Sequence, residues 1–321
     1  MWNSLEYFFD YGDKDFQSDA QDKCRTECVF VYEKAYIYAA DGVLFNVANH
    51  GETDFPSCKN PRAKYIGIML EPPINSYSNF SDEVRSLCDG RIYLGRFDYW
   101  MTYEKSSTVP LFYTSHQRAI GLDAGADYYW NSPLFKSFEE KVGLAASFVT
   151  RCTDAGAMRA ALLAELTRLM PLDNYGPCNQ NREEPQLVPE VNIWSRYENK
   201  IAILSNYKFG IAFENNNSTR DYVTEKVYQC LRAGAVPIYW GAPNVEDFVP
   251  AGSIIKASDF AGPAELAGAI LEIAEDQERY EKYFQWRKNR TAAELWQRDI
   301  FSKSAYTYHA MCRLCDKLAA D

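Results

Sequence analysis

The stretch Phe213–Pro243, FENNNSTRDYVTEKVYQCLRAGAVPIYWGAP, decides how the second half of this 321-residue chain folds. Its order of residue types predicts a strand ending near Phe213, a polar turn, a short helix, a second strand and a glycine turn. Val223, Val227, Cys230 and Leu231 recur at i, i+4, i+7 and i+8, the narrow apolar stripe of a helix that packs on a sheet. Tyr222, Glu225, Lys226 and Gln229 recur at i, i+3, i+4 and i+7 and make a second, polar face. Asp221 is the expected N-cap. On an arbitrary helix such a face is solvated and its charge pair incidental, so a role for it must come from the rest of the chain.

Working outward, KVGLAASFVT reads as a strand and DAGAMRAALLAELTRLM as a helix opened by Asp154. A polar surface loop, PLDNYGPCNQNREEPQLVPE, leads to the helix VNIWSRYENKIAILSN, with Ile193, Tyr197, Ile201 and Leu204 on one face. KFGIAF, AVPIYW and GSIIKA are strands, and GPAELAGAILEIAED and QERYEKYFQWRKNR are helices. In the first half CVFVY, GVLFNVA, KYIGIML, RIYLGRFDYWMTY and VPLFY are short, β-branched and aromatic, as buried strands are, with a helix over SDEVRSLCDG. This alternation implies parallel sheets covered by helices. Two such sheets imply two α/β domains facing each other across a cleft, with the boundary in NSPLFKSFEEK: residues 1–138 and 139–321.

The length suffices for two domains. A net charge of −10 argues against a nucleic-acid partner, which demands a basic surface. No run reaches the roughly 20 apolar residues of a membrane span, so this chain itself makes no membrane contact. The opening MWNSLEYFFDYGDKDF is expected to be the edge of something trimmed, with any anchor absent from this chain. Nine cysteines suit an oxidising compartment. The C-x3-C pair Cys24/Cys28 and the C-x2-C pair Cys312/Cys315 fit disulfides better than halves of a zinc site, since nothing else resembles a zinc module. An odd count leaves a thiol over, and Cys230, on the apolar stripe, is the candidate. Asn79, Asn217 and Asn289 open glycosylation triplets, a weak support for the secretory reading.

Ligands of open α/β sheets collect beyond the carboxyl ends of the strands, so chemistry is expected there. Glu71 follows YIGIML directly and precedes Pro72-Pro73, which would stiffen the turn and fix a carboxylate able to act as general base. Spacing alone favours the plainer reading, an acidic strand-end turn. Glu214 and Asn215 stand at the end of KFGIAF, before a helix start whose N–H groups and dipole suit phosphate. Lys226 adds a point charge, and Glu225 offers acceptors to sugar hydroxyls. Arg159, on the preceding helix, has the fork geometry for a diphosphate, or else is a surface arginine. There is no G-x-G-x-x-G, P-loop or G-x-S-x-G motif, and His50, His116 and His309 lack metal-ligand spacing. Asp13-Lys14-Asp15 matches the D-x-D of metal-dependent sugar transferases but lies in a polar N-terminal stretch, where it reads as solvated charge.

These residues resemble the α1,3-fucosyltransferases, glycosyltransferase family 10. FENNNSTRDYVTEK followed by GAVPI resembles the family's donor-site signature, MLEPPINS its E-S-P segment, FDYWMTYEKSSTVPLFY its F-x-W…P stretch, and MPLDNYGPC its D-x-Y-G-x-C stretch. YFQWRK and the closing CRLC also have counterparts, all in the family's order over about residues 60 to 315. The resemblance implies a GT-B-like α/β fold, two Rossmann-like domains with the acceptor side first. It implies inverting transfer of L-fucose from GDP-β-L-fucose to O3 of an N-acetylglucosamine in a glycan acceptor, an N-glycan or a lactosamine. Glu71 then resembles the base, Arg159 and Lys226 the diphosphate ligands, and Glu214, Asn215, Tyr222 and Glu225 the donor-binding residues. No metal cofactor is obligatory on this reading, a divalent cation being at most stimulatory, and the location is the Golgi lumen or secretory pathway. Two departures stand out: the turn before Asp221 is one residue longer than the family norm, and the acid's neighbour is Pro72. The rival readings are a GT-B transferase with another nucleotide sugar and a non-catalytic glycan-binding relative.

Overall fold

The computed structural model describes residues 25–31, 34–47, 60, 62–72, 97–114, 127–153, 156–190, 195–303 and 309–321. The chain divides into two compact units, Met1–Tyr113 with Lys303–Asp321, and Thr114–Ser302. The division expected at 138/139 therefore falls inside the second unit, and the chain end, expected with the donor half, belongs to the first. The physical cause is the C-terminal helix His309–Ala320, whose Leu314 and Cys315 are buried and whose Leu318 lies against Gly42. Cys315 is disulfide-bonded to Cys28, and Arg313 donates to the Pro110 carbonyl at 2.6 Å.

The first unit holds a parallel sheet of β1 (Gly42–Asn46), β2 (Lys64–Met69) and β3 (Tyr99–Thr102), in that order. Leu44 faces Ile66, and Ile66 faces Tyr99 across the ladder. Phe45, Ile66, Ile68 and Met101 are fully buried, as continuous apolar runs of a two-sided parallel sheet must be. Two expected strands are not strands. Residues 28–31 of CVFVY have no regular structure, Cys28 being tied to Cys315 instead. VPLFY runs extended beside β3, with Val109 N–H donating to Trp100 and Leu111 N–H to Thr102. The helix expected over residues 81–90 lies outside the described residues.

The second unit holds five parallel strands in the order β5-β4-β6-β7-β8: β4 (Gly143–Ser147), β5 (Leu172–Asn174), β6 (Tyr207–Phe213), β7 (Val236–Trp240) and β8 (Ile255–Lys256). Strand β5 lies in the segment expected to be all loop. Its three residues include two polar ones, too short a run for any periodicity, yet Leu172 and Asn174 are buried. Helices α1 (Ala157–Leu169), α2 (Ser195–Leu204), α3 (Glu225–Ala233) and α4 (Pro263–Glu275) connect or follow the strands. Leu163, Leu166, Phe209, Val236, Ile238 and Ile270 share the core. Helix α3 packs so close to β6 that a Cβ on Gly210 would meet the Cys230 sulfur at 2.5 Å. Cys230 is the expected free thiol, buried there.

The connections run from β4 to β5 on one side and reach β6 on the other. The carboxyl ends of β4 and β6 thus flank a topological switch point, the place where open α/β sheets bind ligands.

Candidate active site

Glu214 is the first residue past β6 and is wholly inaccessible, at 0% exposure. Its N–H still donates to the Trp240 carbonyl at 2.8 Å, which extends the ladder by one bond and aims the side chain inward. Oε1 accepts from the Thr224 N–H at 2.7 Å, and Oε2 accepts from the Thr224 hydroxyl at 2.7 Å and from Lys226 Nζ at 3.1 Å. Burial pushes this carboxyl up, and the Lys226 charge and the Thr224 bonds pull it back. Gly241 lets the carboxylate sit there: a Cβ would fall 2.5 Å from Glu214 Cγ and 2.4 Å from the Tyr239 hydroxyl. Expected as a donor contact, Glu214 is instead fully committed inside the protein, where it sets the start of α3 and the position of Lys226.

The start of α3 also differs from the sequence reading. The N-cap is Thr224, not Asp221. Asp221 has φ 64°, a left-handed conformation that Asp tolerates better than most side chains. Asn244 brackets it, accepting from its N–H at 2.9 Å and donating to its carboxylate at 2.8 Å. The preceding turn is organised by Asn216, whose Oδ1 accepts from the N–H groups of Ser218 and Thr219 at 2.8 Å. The Thr224 hydroxyl goes to Glu214 and does not cap the helix, whose N-terminal end carries the positive pole of its dipole. Sequence reading missed Thr224; its signal was a Thr directly before the Glu-Lys of the apolar-periodic run.

The polar face of α3 is likewise not solvated. Tyr222 precedes the helix and is buried at 1% exposure. Gln229 is buried too, and its Oε1 has no hydrogen-bond partner among the described residues. Glu225 and Lys226 are half-buried, and Lys226 Nζ also donates to the Thr224 hydroxyl oxygen at 2.7 Å. Asn215 is half-buried beside Glu214.

Arg159 is not a surface arginine. Only 3% exposed, it spans the switch point: Nη1 donates to the Phe213 carbonyl at the end of β6 at 3.1 Å, and Nη2 to the Arg151 carbonyl past β4 at 3.3 Å. Burial lowers its pKa, and the charges of Glu214 and Glu225 support the cation. Both terminal nitrogens keep a donor, the fork that suits a diphosphate. Next to Arg151, the Cys152–Cys178 disulfide joins the segments that follow β4 and β5. In the first unit Glu71 follows β2 after Leu70, half-buried, with the Leu70 carbonyl held by the Tyr113 hydroxyl at 2.5 Å. Among the described residues no cluster of His, Cys, Asp and Glu is grouped as a metal site; Asp13-Lys14-Asp15 lies outside them.

Residues 138–321 match the C-terminal domain of glycosyltransferase family 10 (fucosyltransferase), and residues 1–114 match the fucosyltransferase N-terminal domain. The chain belongs to glycosyltransferase family 10. Among its relatives, GDP-fucose protein O-fucosyltransferase 3 of Xenopus tropicalis is 30% identical over 83% of this chain and 54% of its own length. Alpha-(1,3)-fucosyltransferase B of Drosophila melanogaster is 28% identical over 87% of this chain and 61% of its own length. The chain thus spans little more than half the length of these relatives. A crystal structure of an alpha1,3-fucosyltransferase superposes with a TM-score of 0.57 over 97% of this chain and 86% of that one, at 16% identity. Its complex with GDP gives 0.55 over 85% and 78%, also at 16%. The family 10 fold, two α/β units of the GT-B type, is the architecture found here.

Proposed function

We propose that this family 10 chain carries an inverting fucosyltransferase activity with GDP-β-L-fucose as donor. The observation that carries the reading is the chain Glu214–Thr224–Lys226 beside Arg159 at the β4/β6 switch point. It holds two cations beside a helix start, a set matched to a diphosphate. Asn215, Tyr222 and Glu225 border that set and serve the ribose and the fucose.

In the reaction, Glu71 takes the proton of the acceptor hydroxyl as its oxygen attacks the anomeric carbon. The bond from that carbon to the β-phosphate oxygen breaks, and its electron pair leaves with GDP. The configuration at carbon inverts, and the proton passes from Glu71 to solvent. Arg159, Lys226 and the α3 start meet the charge growing on the diphosphate. That charge is matched by fixed groups of the protein, so no metal ion is obligatory and a divalent cation would act only as a stimulant.

The acceptor we favour is O3 of an N-acetylglucosamine in an N-glycan or lactosamine, supported by the Drosophila relative's name. A second reading, a hydroxyl of a protein, is supported by the Xenopus relative. The disulfides Cys28–Cys315 and Cys152–Cys178 support a secretory-pathway, Golgi-type location. The deciding experiment measures GDP release from GDP-fucose with a panel of glycan and protein acceptors, wild type beside Glu71→Gln. Acceptor-dependent release that collapses in the variant is the expected result; a wild type with no affinity for GDP overturns the proposal.

A further inference from the structure

Lys200 lies in α2, apart from the residues assigned to the diphosphate and the sugars. Its ammonium lies 5.3 Å from the centroid of the Phe148 ring, and Phe148 is the first residue past β4. Phe148 in turn stacks on Tyr175, the first residue past β5, at 5.0 Å. Lys200 therefore stands at the carboxyl edge of the sheet, on the β5 side of the switch point. Glu225, at the first turn of α3, and Glu184 act on its charge favourably, and Lys226 opposes it. Burial holds its pKa below the ordinary lysine value.

Among the described residues Lys200 donates no hydrogen bond and forms no ion pair, and its ammonium lies over the Phe148 ring. Lys200 is half-buried, and its ammonium has three donors and no acceptor, so those donors are open to a ligand. Its neighbour Asn199 fixes the segment that carries Glu184. Oδ1 accepts from Leu187 N–H at 2.6 Å and Val188 N–H at 3.1 Å, and Nδ2 donates to Glu184 Oε1 and the Pro185 carbonyl, both at 2.9 Å. A lysine with donors to give and an anchored carboxylate are thus held within electrostatic reach of each other.

We infer that Lys200 contacts the nucleobase of the donor, donating to the O6/N7 edge of guanine, with Glu184 accepting from the adjoining ring N–H and amino group. The inference rests on the GDP reading above. The phosphates have Arg159, Lys226 and the helix start, and the ribose hydroxyls have Glu225. What a further cation at the Phe148 edge can serve is a base acceptor. Guanine offers O6 and N7 there, whereas adenine replaces the keto oxygen with an amino donor that Lys200 would repel.

The test is calorimetric titration of wild type, K200M and K200R with GDP, ADP and inorganic pyrophosphate, with melting curves as folding controls. The expected result is a loss of about tenfold or more in GDP affinity in K200M, a GDP-over-ADP preference that shrinks, unchanged pyrophosphate binding, and K200R close to wild type. Unchanged GDP affinity in K200M, or the same factor lost for all three ligands, overturns the inference. If K200M melts early, Glu184→Gln at an exposed position carries the test: it should weaken GDP and not ADP, and an unaltered GDP affinity counts against the proposal. A wild type that binds no GDP overturns the donor assignment itself, and is read without any variant.

Discussion

Glu214→Gln separates a residue that builds the site from one that touches the ligand. At 3.1 Å from Lys226 Nζ, and with an effective dielectric of about 20, the gross attraction is about 5 kcal/mol. Desolvation of the inaccessible carboxylate and the 20% exposure of the Lys226 side chain reduce the net contribution to about 1.5–3 kcal/mol. Glutamine can keep one oxygen for the Thr224 N–H, but it turns an NH2 group toward an ammonium that only donates. The expected losses are about 2 kcal/mol of stability in the second unit and about tenfold in GDP affinity, because Lys226 is no longer fixed. Lys226→Met strands a buried carboxylate and should cost about 3 kcal/mol. The double variant should recover part of that, with a coupling of at least about 1 kcal/mol. Denaturant unfolding followed by fluorescence gives the stabilities, and calorimetry gives the affinities. A coupling indistinguishable from zero refutes the reasoning. So does a tighter GDP complex in Glu214→Gln, which would make the carboxylate a competitor of the ligand.

Glu71→Gln should lower turnover by about 10²–10⁴ while leaving GDP affinity unchanged, since a base acts on the acceptor side; a parallel loss of GDP binding speaks against that role. Gly241→Ala presses a Cβ to 2.4 Å from the Tyr239 hydroxyl and 2.5 Å from Glu214 Cγ. It should cost about 1–3 kcal/mol and weaken GDP binding, whereas a neutral result on both would show that the pocket around Glu214 yields. Lys141 is buried, held by the carbonyls of Ser205 at 3.2 Å and Tyr207 at 3.3 Å, and burial with the nearby Lys136 and Arg287 lowers its pKa to about 7. The unfolded chain keeps the ordinary lysine value, so between about pH 7 and 10 it binds the proton that the folded state lacks. Stability from this group therefore rises with pH across that window, by up to about 1.4 kcal/mol per unit, and is lost on acidification through pH 7. Lys141→Met should flatten that slope in urea titrations run at several pH values; an unaltered slope contradicts the assignment.

What was legible in the sequence was what repeats or punctuates. The apolar stripe Val223, Val227, Cys230 and Leu231 correctly put α3 on the sheet, and continuous runs such as KYIGIML and KFGIAF are buried parallel strands. The strand-end rule correctly placed Glu214 and Glu71 just past β6 and β2. Spacing could not show that Glu214 turns inward, because that depends on the room left by Gly241 in another strand's turn. Nor could it place the N-cap: Asp221 and Thr224 are both good cap residues, and Asn244, far along the chain, decided between them by holding Asp221 left-handed. Strand β5 was hidden because Asn181, which accepts from the Asn174 N–H and donates to the Leu172 carbonyl, secures it rather than apolar periodicity. That the terminal helix also packs with the first unit was not legible, because a disulfide across 287 residues leaves no local trace in sequence.

The charges of the site explain its rigidity. Arg159, Glu214 and Lys226 are each drawn out of water, and each alone would be costly to hold ionised. Together they offset one another: the Glu214 charge supports Arg159, Lys226 supports Glu214, and backbone carbonyls from β6 and the β4 loop take two of the arginine's donors. The set thus places two cations beside the start of α3, at the carboxyl ends of β4 and β6. A leaving diphosphate supplies acceptors of the matching sign and gains negative charge as its bond to the sugar breaks. Donors fixed beforehand need no reorganisation at that moment, so they favour the transition state over the bound substrate. On the proposed donor assignment, removing the internal acid should therefore harm catalysis through Lys226, which it bonds, and Arg159, whose charge it supports.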